Sequence, residues 1–150
     1  MGTGATGIIQ GVEFGLEKKI DFIGKKPKMQ FPNEARFGNF ITRVNAILQG
    51  YSAFRHGGNC RFVDNDHHAV IAVYRQESEV NATGFLIVCN FDIQASQDIS
   101  IDPGSFAGSG RPVSCTDLLS GETLTFKDSV FKFNLPPCFA LVLKFETHKH

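Results

Sequence analysis

Leu135-Pro136-Pro137-Cys138-Phe139-Ala140-Leu141-Val142-Leu143 is the stretch on which the reading of this chain turns. Two successive prolines remove two backbone donors and fix φ, which suits the entrance of a strand and not its middle. The apolar run behind them, like Phe85-Leu86-Ile87-Val88-Cys89, is expected to lie at the centre of a sheet. From Cys60 onward the pattern is either alternating or continuously apolar. Strands are expected over Cys60–Val63, Ala69–Arg75, Phe85–Phe91, Gln97–Ile101, Val113–Asp117, Thr123–Phe126, Val130–Leu135 and Phe139–Phe145. Turn chemistry separates them: Asp64-Asn65-Asp66, Asn81-Ala82-Thr83-Gly84, Asp102-Pro103-Gly104, Gly108-Ser109-Gly110 and Ser120-Gly121-Glu122. About eight short strands at this spacing predict a mainly β chain, an antiparallel Greek-key β-sandwich.

Upstream the period changes. Phe37, Phe40, Ile41, Val44, Ile47 and Leu48 recur at three and four residues, the stripe of an amphipathic α-helix that demands an apolar partner. Asn33 is its expected N-cap and Gly50 its stop. This is the only long helix expected. Before it, Gly24 to Asn33 contains Pro27 and Pro32 and reads as an extended connector. Met1 to Gly15 is glycine-rich, which penalises a helix by about 1 kcal/mol per glycine relative to alanine. A loop that approaches another surface closely is the expectation there.

Composition bounds the function. At 150 residues, 42% hydrophobic and 20% charged, the chain has room for one ordinary core and lies far from the disordered class. Fifteen Phe, two Tyr and no Trp give a core built on Phe and aliphatic residues. Zero formal net charge argues against nucleic acid as a partner, which normally demands a basic excess. The lysines between Lys18 and Lys28 are interrupted by Ile20, Phe22, Ile23 and Pro27 and read as solvated. No apolar run approaches the roughly eighteen residues of a membrane helix, and no membrane partner is expected. No basic n-region followed by an apolar core is visible, so a cytoplasmic location is favoured and the sequon Asn81-Ala82-Thr83 reads as chance. Cys60, Cys89, Cys115 and Cys138 contain no C-x-x-C pair and are expected to be buried free thiols.

The densest polar cluster is Asp64, Asp66, His67 and His68. Adjacent histidines on a strand face opposite ways, so these two are not expected to share an ion, and a solvated turn is the better reading. His56 lies in a glycine loop, and His148 and His150 in a terminal tail. Neither a nucleophile elbow nor a phosphate loop occurs: Gly104-Ser105 and Gly108-Ser109-Gly110 lie in a loop between strands, and no Gly-Lys-Ser/Thr follows the early glycines. No metal, no cofactor and no self-contained catalytic site is expected.

Three phrases, in order, resemble the alpha-amylase family of glycoside hydrolases. Gly4, Gln10, Gly11, Glu13 and Gly15 match a segment near the last strand of that family's (β/α)8 barrel, with Thr6 in place of its usual proline and Gly7 and Ile9 in place of aromatics. Arg43-Val44-Asn45-Ala46-Ile47 resembles the phrase in the helix that follows. Asp117-Leu118-Leu119-Ser120-Gly121-Glu122 and Leu135 to Leu143 resemble the closing phrases of the C-terminal domain. The resemblance implies that residues 1–50 are the end of a barrel and residues 51–150 a C-terminal β-sandwich. It places the catalytic carboxylates on earlier strands, so no catalytic residue is carried over. Gly11, Glu13 and Gly15 would be structural motif residues, and the partner would be the catalytic barrel of the same parent chain, acting on α-glucans. The alternative is a carbohydrate-binding module for starch- or glycogen-like polymers, for which Tyr51 and Tyr74 are the aromatic candidates.

Overall fold

A computed structural model describes residues 34–55, 60–76, 83–107, 114–126 and 129–146. Helix α1 spans Glu34–Gly50, and a 3-10 turn follows at Ser52–Phe54. The strands are β1 (Cys60–Val63), β2 (Val70–Gln76), β3 (Thr83–Asn90), β4 (Gln97–Ile101), β5 (Ser114–Asp117), β6 (Thr123–Thr125), β7 (Phe131–Leu135) and β8 (Ala140–Glu146). A single-turn helix α2, Gly104–Ala107, stands between β4 and β5. All eight expected strands are present. The N-cap at Asn33, the connector before it, Gly11, Glu13 and Gly15 fall outside the described residues, as do His56, Asn81, Val113 and the terminal histidines.

Six strands form one antiparallel sheet in the order β1-β2-β3-β8-β5-β6, and β4 pairs with β7 in a second. The two runs expected at the centre, β3 and β8, occupy the two middle positions. Chain crossings explain this: β4 leaves the first sheet after β3, and β8 returns to it between β3 and β5. Both middle strands therefore have neighbours on both sides, as their continuous apolar character requires.

The inner face of the large sheet meets the small sheet. Val63, Ala72, Val88 and Leu141 form one cross-strand row and share a buried cluster with Ile99, Ile101, Phe131, Phe133 and Leu135 of β4 and β7. Alternation in those last two strands is strict, with Asp98, Ser100, Lys132 and Asn134 exposed between buried neighbours. Phe126 stacks on Phe131 in one corner with centroids 3.9 Å apart, and Phe133 meets both rings edge-on. Tyr74, Phe106 and Phe145 fill another. Gly84 lies beside that second group, and a Cβ there would come within 2.7 Å of the Phe145 ring. Read as turn punctuation from sequence, Gly84 is instead the second residue of β3. Its lack of a side chain makes room for an aromatic ring.

Two polar residues tie the corners. The buried Asp117 carboxylate accepts backbone N–H groups from Leu119 (3.2 Å), Ser120 (3.0 Å) and Val142 (3.0 Å). Its main chain also closes the turn, with Gly121 N–H donating to its carbonyl at 2.7 Å and Gly121 at φ 83°. The phrases around Asp117 and Val142 are thus joined by one carboxylate, which gives a structural reason for their residues. At the opposite end, the Asn90 side chain donates to the carbonyls of Ala95 (3.0 Å), Leu135 (3.0 Å) and Pro136 (2.9 Å). It holds both sheet crossings at one point. Just after the diproline, Cys138 adopts φ 54°, in the left-handed region that non-glycine residues seldom occupy.

Candidate functional site

The outer face of the six-stranded sheet is built differently. Phe62, Val73, Ile87 and Val142 form a row on it, with Ile71, Cys89 and Ala140 in the next. Over its middle lie α1 and the 3-10 turn, where Ile47 and Ala53 join Phe85, Ile87 and Val142 in a second, smaller core cluster. Tyr51 and Phe54 pack on Phe85 with ring centroids 4.9 Å away in each case. Arg43 of α1 donates to the Leu119 carbonyl and latches the helix to the turn after β5.

This cover is partial. Ile47 is buried, yet Phe37, Ile41, Val44 and Leu48 are only half-buried, and Phe40, two turns from Ile47 on the same stripe, is 49% exposed. The sheet beside the helix is also bare: Phe62 is 78% exposed, Ile71 43% and Phe91 62%. Phe91 continues the β3 pairing through its N–H to the Ala69 carbonyl (2.8 Å), so alternation keeps it on this face with Ile71 and Cys89. The result is an uncovered apolar margin around a helix whose own stripe is half used.

The two aromatic sugar-platform candidates are placed elsewhere by the fold. Tyr74 is buried in the inner core, where desolvation raises its hydroxyl pKa. Tyr51 is half-buried, enclosed by Phe54, Phe85 and the Lys144 ammonium, which lies 5.5 Å from its ring centroid. Tyr74 has no face open to solvent, whereas Tyr51 keeps partial exposure. Tyr alternation in an apolar strand favours the core over the surface, and that signal was present in Val70–Arg75.

His67 and His68 stand in the turn expected before β2, and within it their rings stack with centroids 5.2 Å apart, since strand alternation does not act in a turn. Asp64 and Asp66 are exposed beside them. All four cysteines are free, but Cys138 is exposed and only Cys115 is fully buried. Desolvation, reinforced by the Asp117 charge, pushes the Cys115 thiol to about 11, far from the thiolate that nucleophilic chemistry needs. Gly104 and Ser105, expected in a loop, open α2.

Among the described residues no helix is long and apolar enough to cross a membrane. No protein-family model matches the chain, and no curated protein matches it. Solved structures do. A noncanonic maltogenic alpha-amylase, AmyB from Thermotoga neapolitana, aligns over 93% of this chain with a TM-score of 0.72 at 16% identity, using 32% of its own length. An Anoxybacillus alpha-amylase aligns over 93% at a TM-score of 0.60 and 15% identity, using 28% of its length. Alpha-galactosidase I from Mortierella vinacea aligns over 75% at 0.57 and 15%, using 30%. This chain thus spans about a third of the proteins it resembles, and at such identities the likeness is one of fold. Its architecture is that of the C-terminal portion of alpha-amylases, an eight-stranded antiparallel β-structure carrying one helix on its outer face.

Proposed function

We propose that this chain is a non-catalytic supporting domain whose outer sheet face and α1 pack against the catalytic barrel of an alpha-amylase-like enzyme acting on α-glucans. The single observation that supports this most is the uncovered apolar margin of Phe40, Phe62, Ile71 and Phe91 around a half-used helix stripe. Exposed apolar patches of this kind mark interfaces. The fold adds to it, because the matched structures devote only about a third of their length to this part. Their remaining two thirds, in a parent of the same plan, would supply the neighbour.

The proposal has two tests. The isolated chain should release no reducing sugar from starch or maltooligosaccharides. Hydrolysis that survives repurification would overturn the reading. The reading frame upstream of Met1 should run on into barrel strands, and a stop codon with no barrel sequence before it would remove the proposed partner.

A further inference from the structure

A single peptide group ties the helix on the outer face to a buried carboxylate. The Ser120 N–H donates to Asp117 Oδ2 at 3.0 Å, and the Leu119 carbonyl accepts from the Arg43 guanidinium. Those two groups are the ends of one peptide unit, Leu119–Ser120. In a trans peptide the C=O and N–H point in opposite directions, and among the described residues no peptide bond is cis. The unit therefore stands with its N–H end on an anion and its C=O end on a cation, an orientation favourable at both ends. A carboxylate on the N–H polarises the peptide and makes its oxygen a better acceptor, as in any chain of hydrogen bonds away from bulk water.

The anionic end is fixed. Asp117 is buried, and its Oδ1 takes the N–H groups of Leu119 and Val142, so all three donors to this carboxylate are neutral backbone groups. The Leu118 N–H donates to the Val142 carbonyl at 2.8 Å and pins the same turn to β8. The cationic end belongs to α1. Arg43 lies one helical turn before Ile47 on the same face, and Ile47 is the one fully buried side chain among the described residues of that helix. Most of a helix's stability in a protein comes from such packing. The seat of α1 therefore leans on Ile47 near its C-terminal end and on the Arg43 hydrogen bond one turn further out.

We propose that Arg43 and Asp117 act as one ion pair bridged by the Leu119–Ser120 peptide, and that this relay is a positioning device. Through it the sealed corner of the sandwich sets where α1 lies on the outer face. The relay itself is independent of what covers that face. Only its consequence, the angle at which the Phe40 stripe is presented, rests on the packing proposal.

The test is hydrogen exchange of the α1 amides in the whole chain, read by nitrogen-15 NMR, in R43M, D117N and the double variant. R43M keeps an unbranched side chain of good helix propensity and removes the guanidinium. It should speed exchange at Val44, Ile47 and Leu48 roughly fivefold, the strength of about one hydrogen bond, with Val88 and Leu143 in the sheet unchanged. The contact is a single hydrogen bond from Nη1, which an ammonium can also make, so R43K should restore most of the protection. Added to D117N, R43M should speed the same amides by a smaller factor, because the peptide has already lost its anion. The Ser120 amide proton, at the far end of the peptide from Arg43, should move upfield in R43M and stay in place in R43K. That signal carries the test if D117N fails to fold. The proposal is overturned if R43M leaves α1 exchange unchanged, if R43K protects no better than R43M, if R43M acts equally with and without D117N, or if the Ser120 signal does not move.

Discussion

The two faces of the large sheet are made from the same strands and the same residue types, yet they are finished differently. The inner face is closed by a second sheet, with Phe85's neighbours Leu86 and Val88, and Leu143 beyond them, at 0% exposure. Among the described residues, the outer face has one helix and one 3-10 turn for cover, and large apolar side chains stand bare at its margin. Burial on the inner face stabilises the fold. Exposure of large apolar side chains on the outer face costs solubility, and it is this face that the proposed packing would cover. On the proposed reading, stability and association lie on opposite sides of one sheet.

That contrast can be broken at Phe131, on the closed side. Phe131→Ala removes a ring that stacks on Phe126 and is 1% exposed, and should cost about 3–5 kcal/mol in urea unfolding. A loss below 1 kcal/mol would mean the two sheets are not tightly sealed. Asp117→Ala leaves three backbone N–H groups without their acceptor and should cost roughly 3 kcal/mol. Asp117→Asn, which keeps one acceptor oxygen, should cost less by the same measurement.

Gly84→Ala tests the closed side more gently. The new methyl forces the Phe145 ring to move, an overpacking penalty of about 1–3 kcal/mol. A Phe145→Leu partner should recover part of it in a double-mutant cycle, and strict additivity would show that the ring is not the obstacle. On the open side, Phe62→Ser and Phe91→Ser should each change stability by no more than about 0.5 kcal/mol while lowering dye binding and self-association. A large destabilisation by either would place that side chain in a core and undo the contrast.

The smallest effect concerns acid. Asp92 is held below its ordinary carboxyl pKa of 3.8, chiefly by the backbone N–H groups of Gln94 and Ala95. Its folded pKa lies below the unfolded one, so its contribution is fully present above about 3.8 and is lost as pH falls through the folded value. Asp92→Asn should flatten the acid limb of the unfolding curve slightly, and an unchanged limb would show that the loop does not need the charge.

The strands were legible because alternation and turn chemistry are local. Gln97–Ile101 reads buried-exposed-buried in the chain and in the structure alike. Helix α1 was legible for the same reason, through its three-and-four spacing. Where the sequence misled, a local rule had been applied outside its range. Gly84 was read as a breaker although its missing side chain serves packing. Tyr74 was weighed as a surface aromatic, but it pairs in register with Leu86 on the inner face. The contact between Arg43 and the Leu119 carbonyl left no local signal, because the two are 76 residues apart and meet only once β5 has joined the sheet that α1 covers.

From its residues alone this chain fixed its strand content, its one long helix and the paired phrases around Asp117 and Val142, since period, turn residues and apolar runs act between neighbours in sequence. Tertiary structure alone decided which face of the large sheet would be sealed and which left bare, and that Arg43 would meet the turn after Asp117. Those outcomes depend on how distant strands pair and cross, which no short-range pattern encodes.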